Sequence, residues 1–269
     1  MDGDSRSTYF ALQASWGVTK HLGGQGATDE LARMCHLQAG SRVLVVGCGA
    51  GMSACYLAVR FGAKVAGVDI SPAMVRQSAK RAHRQGLTDE AVFLVGSATA
   101  LPFDDAAFDA VLCESVNSFI PERVRALAEY RRVVRPGGRI GMNECVWLDV
   151  PPRDLADYLE GITGAHFMDA RGGWGRLLEE GGLDLVSQTI HQTGILRQWF
   201  SEARQADARD FASAWVSFAR GCLSNAEYRR FARAAFNVPR SAWRMFRYFG
   251  YGIYVGRKPG PQGDAADGR

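Results

Sequence analysis

A chain of 269 residues with 47% apolar residues suits one α/β domain with an insertion. Its net charge of +4 comes mainly from arginine spread along the chain, and we expect no nucleic-acid partner because no segment resembles a nucleic-acid groove. Six scattered cysteines without a C-x-x-C pair predict reduced thiols, and the acidic first residues predict no signal peptide. We therefore expect a cytoplasmic protein without membrane insertion.

The N-terminal residues are predicted to form an arm. Trp16, His21 and the following glycines favour a segment that folds over a bound molecule, although a plain covering helix is the alternative. Thr28 is predicted to cap a helix that runs to about His36.

The next feature is a buried strand that ends in a glycine turn. The apolar run Val43–Val46 lacks polar alternation, which predicts a strand buried on both faces. Glycines then alternate at positions 47, 49 and 51, where a side-chain-free backbone lets a polar ligand approach closely. The third glycine of a dinucleotide fingerprint is replaced by Met52, and no P-loop lysine follows.

Asp69 ends a second apolar run about 20 residues after the glycines, the spacing at which a carboxylate reaches a ribose diol. Ser71 and Pro72 open a predicted helix that ends at Gln85-Gly86. The glycines alone leave open an ordinary Rossmann-like turn or a nicotinamide-dependent enzyme with a degraded fingerprint.

Two further strands and a tight turn follow. Residues 92–95 predict a third buried strand, and residues 108–113 a fourth that ends at Glu114. A helix from Pro121 then leads into Arg135-Pro136-Gly137-Gly138, a predicted turn before a fifth strand at residues 139–145.

In order and spacing, these motifs resemble those of the class I S-adenosylmethionine-dependent methyltransferases over residues 40–147. The resemblance implies S-adenosyl-L-methionine as the cofactor. It also implies a set of contacts at the strand ends, in which Ser97 stands where the family usually has an acid that binds the adenine amino group. The cofactor-binding candidates are Gly47, Cys48, Gly49, Gly51, Asp69, Ile70, Ser97, Ala98 and Glu114. Glu114 is included because ligands bind at the carboxyl ends of the strands, and a capping role for the helix at Pro121 is its alternative.

The alternation of strands and helices predicts a doubly wound, Rossmann-like parallel sheet. The family topology implies seven strands, the last one antiparallel, with a helical insertion before it. We divide the chain into an arm or lid (1–26), a cofactor-binding core (27–192), a substrate-covering insertion (193–249), a final strand (250–258) and a disordered tail (259–269).

Methyl transfer needs a general base only for some acceptors, such as hydroxyls. The candidate bases are His21, Glu144, His166 and His191. His21 and Glu144 are preferred, because a structural hydrogen-bonding role is favoured for His166 and His191. We expect a small-molecule methyl acceptor whose reacting atom (N, O, S or C) is left open, as is a homodimer. The alternatives are a non-catalytic cofactor-binding subunit and an RNA methyltransferase.

Overall fold

The computed structural model describes residues 21–192, 216 and 218–260. The predictions for the first part of the arm (1–20), for most of the first half of the insertion (193–215) and for the end of the tail (261–269) lie outside these residues. The division of the chain into five segments stays a prediction.

One mixed sheet forms the centre of the structure. Its strands are β1 (Arg42–Val46), β2 (Lys64–Asp69), β3 (Ala91–Val95), β4 (Phe108–Glu114), β5 (Val134–Trp147), β6 (Met168–Asp169), β7 (Asp184–Gln192) and β8 (Phe249–Arg257). The order across the sheet is β3-β2-β1-β4-β5-β8-β7, with β6 beside β5. β8 alone runs antiparallel to both of its neighbours. The predicted doubly wound fold is confirmed, with the two-residue β6 as an unpredicted eighth strand.

Helices cover both faces of this sheet. They are α1 (Gly24–Met34), α2 (Met52–Phe61), α3 (Pro72–Arg84), α4 (Arg123–Val133), α5 (Arg153–Thr163), α6 (Gly173–Glu180), α7 (Ala226–Phe236) and α8 (Met245–Tyr248), with 3-10 turns at Asn117–Phe119 and Arg240–Arg244. Among the described residues, no helix is both long enough and apolar enough to cross a bilayer.

Strand β1 is buried on both faces, as its apolar run predicts. Val43 and Val45 pack in one core with α1 and α2. Leu44 and Val46 pack in the other core with α4 and α6. This central strand brings the glycine turn to the middle of the carboxyl edge of the sheet.

The prediction that β3 is buried is wrong. This strand pairs only with β2 and forms one edge of the sheet, so that Val92 and Val95 are about half exposed. An apolar run does not distinguish an edge strand from a central one, because strand order is decided by long-range pairing.

The predicted start is wrong for α1 and correct for α3. Thr28 lies inside α1 rather than at its cap, because the helix begins directly after Gly23, whose φ is 79°. The start of α3 is as predicted: Pro72 is its first residue, and the Ser71 hydroxyl accepts a hydrogen bond from the Met74 N–H.

The four residues from Arg135 to Gly138 form an irregularity inside β5. Val134 pairs with Phe108 and Arg139 with Ala110, so the residues between them bulge out of the ladder. Gly137 has a φ of 74°, in agreement with the predicted turn. The strand therefore starts before this turn, earlier than predicted.

Candidate active site

A cavity of about 850 Å³ opens at the carboxyl ends of β1, β2 and β4. This is the edge at which open α/β sheets bind ligands, and the volume is in the range of small-molecule sites. One half is polar and is lined by Gly47, Cys48, Gly49, Asp69, Ile70, Ser97, Ala98 and Glu114. The other half is mostly apolar and is lined by Phe119, Ile120, Cys145, Thr163, Ala165, Phe167 and Phe249. We call these the polar half and the apolar half.

The glycine turn after β1 forms the floor of the polar half. Gly47 and Gly49 have φ values of 64° and 52°, in the left-handed region that other residues rarely adopt. A Cβ atom on Gly47 would lie 2.3 Å from Cγ2 of Val116, so this position also lacks space for a side chain. The turn therefore presents bare backbone to the cavity.

Asp69 stands beside this turn and is bound to it. Its Oδ2 accepts a hydrogen bond from the Gly49 N–H at 2.9 Å, and its Oδ1 accepts one from the Ser71 N–H at 2.8 Å. Burial raises the pKa of the Asp69 carboxyl, and the two backbone hydrogen bonds oppose that shift. Each oxygen keeps a lone pair with which a ligand hydroxyl can bond.

The outer wall of the polar half comes from the segments after β2 and β3. Ile70 lines the cavity but is 76% exposed, so its apolar surface is open to a planar ligand. Ser97 and Ala98 lie on the same wall, and the Ser97 hydroxyl is 2.9 Å from that of Thr99. Arg132 and Glu129 of α4 bond the following loop at Leu101, which fixes this wall.

His21 and Glu114 face the cavity together. Nδ1 of His21 lies 3.6 Å from Oε1 of Glu114, and the two side chains are only 11% and 5% exposed. The Thr28 hydroxyl donates to Oε1 of Glu114 at 2.9 Å and lies 3.3 Å from Nε2 of His21. Nε2 is also 3.4 Å from the Ser53 hydroxyl. Oε2 of Glu114 is buried and has no hydrogen-bond partner among the described residues.

The structure does not bring Glu144 to the cavity. Its side chain is fully buried, and its Oε1 accepts hydrogen bonds from the N–H groups of Val116 and Asn117. Its Oε2 accepts from the N–H and the hydroxyl of Ser118. Burial raises the pKa of Glu144 against the effect of these bonds. Its role is to hold the loop after β4, and we no longer count it among the reacting groups.

Two of the cofactor-binding candidates do not offer a side chain to a ligand in the cavity. Gly51 does not line the cavity, because it packs against α3, where a Cβ atom would lie 2.6 Å from Cβ of Ser78. Cys48 lines the cavity, but burial raises the pKa of its thiol to about 12, so it stays protonated. Only its backbone is suited to ligand contact.

The other two candidate bases, His166 and His191, do not line the cavity. Nε2 of His191 is 3.0 Å from Glu30, and its ring stacks on Tyr251. Nδ1 of His166 is 3.5 Å from Glu160, near the protein surface.

Sequence reasoning did not identify the residues that form the aromatic wall of the apolar half. Phe167, Phe249 and Trp147 contact one another edge to face, with ring centroids 5.3–5.8 Å apart. Phe167 and Phe249 are 82 positions apart in the sequence and meet only because β6 and β8 both pair with β5. The sequence offered only the general signal of an aromatic-rich C-terminal part.

Comparison with known proteins identifies a domain type in the segment that contains the glycine turn and Asp69. Residues 44–142 match the family model described as "Methyltransferase domain". The chain is 31% identical to Methyltransferase GfsG of Streptomyces halstedii over 62% of this chain and 61% of that protein. It is 36% identical to the 27-O-demethylrifamycin SV methyltransferase of Amycolatopsis mediterranei over 48% of each protein. The chain thus spans about half to three fifths of the length of these relatives.

Solved structures show the same fold. The geranyl diphosphate C-methyltransferase of Streptomyces coelicolor A3(2), solved with S-adenosyl-L-homocysteine, superposes with a TM-score of 0.64 at 19% identity, over 87% of this chain and 77% of that one. The glycine turn and Asp69 lie within the matched segment. Residues 44–142 thus match a methyltransferase domain, as the motifs shared with the class I S-adenosylmethionine-dependent methyltransferases predict.

Proposed function

We propose that this protein transfers the methyl group of S-adenosyl-L-methionine to a hydroxyl of a small, largely apolar molecule. The observation that carries the proposal is that Asp69 and the His21–Glu114 pair face one cavity whose other half is aromatic. A polar cofactor and an apolar acceptor can thus lie side by side, with an imidazole nearby.

The polar half fits the cofactor. Asp69 would accept hydrogen bonds from the ribose hydroxyls, and the bare backbone of Gly47 and Gly49 would lie against the amino-acid part. The exposed surface of Ile70 would cover the adenine, and the free Oε2 of Glu114 offers a negative charge to a cationic ligand. When bound, the cofactor supplies an electrophilic methyl group, so the protein has to position the acceptor and exclude water.

His21 supplies what a hydroxyl acceptor needs. A neutral hydroxyl is a weak nucleophile, and a base that removes its proton contributes about 10²- to 10⁴-fold in rate. We assign the proton-accepting role to Nε2 of His21, with Nδ1–H directed at Glu114. The carboxylate would then stabilise the imidazolium, and the Thr28 hydroxyl would hold Glu114 in place.

One relative supports the choice of oxygen. The name of the rifamycin-modifying protein places its methyl group on an oxygen, and that protein is 36% identical to the matched part of this chain. Among the described residues that line the cavity, His21 is the only histidine. The loop after β4, which also lines the cavity, contains none.

Calorimetry with S-adenosyl-L-homocysteine tests the cofactor site. We expect micromolar binding by the native chain and a loss of about 100-fold in Asp69→Ala, because two charge-assisted hydrogen bonds are removed. Asp69→Asn is the matched control, since it keeps the side-chain shape and one acceptor oxygen, and we expect a smaller loss. Unchanged binding in Asp69→Ala would contradict the assignment of this site.

A transfer assay with labelled cofactor and a panel of phenols, apolar alcohols, amines and thiols tests the acceptor class. We expect transfer to a hydroxyl, reduced about 100-fold or more in His21→Gln while affinity for S-adenosyl-L-homocysteine stays within about threefold. Transfer only to amines or thiols would refute the hydroxyl assignment. A purified chain that binds the cofactor but methylates nothing would favour the non-catalytic subunit, and transfer to RNA would favour the other alternative.

A further inference from the structure

Positive charge is concentrated in one segment of the chain. Residues 216–248 contain seven arginines and a single carboxylate, Glu227, which gives this segment a net charge of +6. Because the whole chain carries +4, the remaining residues sum to −2. Arginines occur along the whole chain, but their excess over carboxylates is concentrated in this segment.

All seven of these arginines are exposed in the structure. They are Arg220, Arg229, Arg230, Arg233, Arg240, Arg244 and Arg247. We call them, together with the exposed apolar residues Leu223, Phe236 and Trp243, the basic surface.

Large apolar side chains on the basic surface are unusually open to solvent. Trp243 is 93% exposed, Leu223 84% and Phe236 75%. Helix α7 has no fully buried residue. Single exposed apolar residues are common, but an aromatic-rich set beside clustered cations is typical of an interaction site.

On α7, two of the arginines and one exposed apolar residue lie on the same face of the helix. Arg229, Arg233 and Phe236 are spaced i, i+4 and i+7, which places them on one helix face. Arg229 donates hydrogen bonds to the carbonyls of Cys222 and Leu223 rather than to a carboxylate, so its charge is not neutralised by that contact.

The segment that carries the basic surface is bonded to a helix whose following loop lines the apolar half of the cavity. The Tyr158 hydroxyl of α5 donates to the carbonyl of Ala235, and the Ser241 hydroxyl donates to Asp154 of the same helix. The loop after α5 contributes Ala165 to the cavity, and Phe249 directly follows α8. The segment that carries the basic surface is thus bonded to α5 and continues directly into Phe249 of the cavity.

We propose that the basic surface docks the protein on an anionic lipid surface, from which the apolar acceptor enters the cavity. The entry of the acceptor from the lipid surface rests on the proposed function. Arginines attract anionic headgroups by about 1 kcal/mol each near a surface, and exposed Trp, Phe and Leu side chains enter the interfacial layer. An RNA partner would also use arginines, but it would not require Leu223 and Phe236 to be exposed.

Co-sedimentation with vesicles tests the docking independently of methyl transfer. In 0.1 M NaCl, we expect the native chain to bind vesicles of phosphatidylcholine and phosphatidylglycerol (3:1) at least tenfold more tightly than vesicles of phosphatidylcholine alone. We expect Arg233→Gln with Arg244→Gln to reduce binding about 30-fold, since each arginine contributes about 1 kcal/mol. The matched control is Arg76→Gln with Arg84→Gln on the exposed side of α3, with an expected change below twofold.

The apolar contribution is tested by Trp243→Ala, for which we expect a loss of about tenfold that persists in 0.5 M NaCl, where charge attraction is screened. Val59→Ala, another exposed apolar position, is its control. Equal binding to both kinds of vesicle, or equal loss in the two double variants, would overturn the proposal. Loss of RNA binding instead of vesicle binding in the Arg233/Arg244 variant would also overturn it. Intact calorimetric binding of S-adenosyl-L-homocysteine would show that the proposed function survives such a failure.

Discussion

The two halves of the cavity are built in different ways. The polar half comes from consecutive strand ends and is held largely by backbone hydrogen bonds, as between Asp69 and the Gly49 N–H. The apolar half gathers side chains from distant segments, such as Phe167 and Phe249, through packing. The first kind of wall depends on local chain geometry, and the second depends on how the whole sheet is assembled. A substitution in one half should therefore change the binding of one ligand and leave the binding of the other nearly unchanged.

The largest effect is expected at Glu144, which holds the loop between the halves. Glu144→Ala leaves several buried N–H groups and the Ser118 hydroxyl without an acceptor. We expect a loss of about 3–5 kcal/mol in the free energy of unfolding, measured by urea denaturation, together with weaker binding of both ligands. Val150→Ala on the surface is the control. A stable variant with selective loss of transfer would instead restore Glu144 as a reacting group.

The next effect should be confined to the polar half. Gly47→Ala forces a Cβ into the left-handed region and against Val116. We expect a loss of about 2–3 kcal/mol in stability and at least tenfold weaker binding of S-adenosyl-L-homocysteine. Gly86→Ala, which also has a positive φ but open space around it, isolates the backbone cost. Equal binding losses in both variants would show that contact with Val116 does not matter.

A smaller effect should be confined to the apolar half. Phe167→Leu keeps apolar volume but removes the edge-to-face contacts with Trp147 and Phe249. We expect about a tenfold rise in the KM for the acceptor, since such aromatic contacts contribute about 1 kcal/mol, with little change in cofactor affinity. Phe103→Leu, at another edge-to-face pair outside the lining of the cavity, is the control. If Phe167→Leu changed only the affinity for the cofactor, the two halves would not bind separate ligands.

The smallest effect concerns the outer wall of the polar half and depends on pH. The hydrogen bonds from Arg132 lower the pKa of Glu129, chiefly offset by partial burial. The folded pKa lies below the unfolded one, so this contribution to stability is present above about pH 4.3 and is lost as pH falls through the folded pKa. We expect Glu129→Gln to lower stability by about 1 kcal/mol at pH 7.

Urea titrations of the native chain and of Glu129→Gln from pH 7 to pH 2.5 measure this difference. It should shrink as the solution becomes more acidic. A difference that stays constant across this range would show that the hydrogen bonds act through their geometry and not through the charge of Glu129.

The sequence by itself indicated the glycine turn, Asp69 and the central strands. Those features depend on short-range rules: an uninterrupted apolar run makes β1, glycine permits the positive φ of Gly47, and the spacing brings Asp69 to the next strand end. Only the tertiary structure decided the roles of Glu144 and Thr28 and the exposure of the side chains on the basic surface, whose charge can be counted from the sequence. Strand order and register placed Glu144 in the core beneath a loop and β3 at an edge. Long-range contacts of this kind have no counterpart in local pattern, because they depend on which segments meet in space.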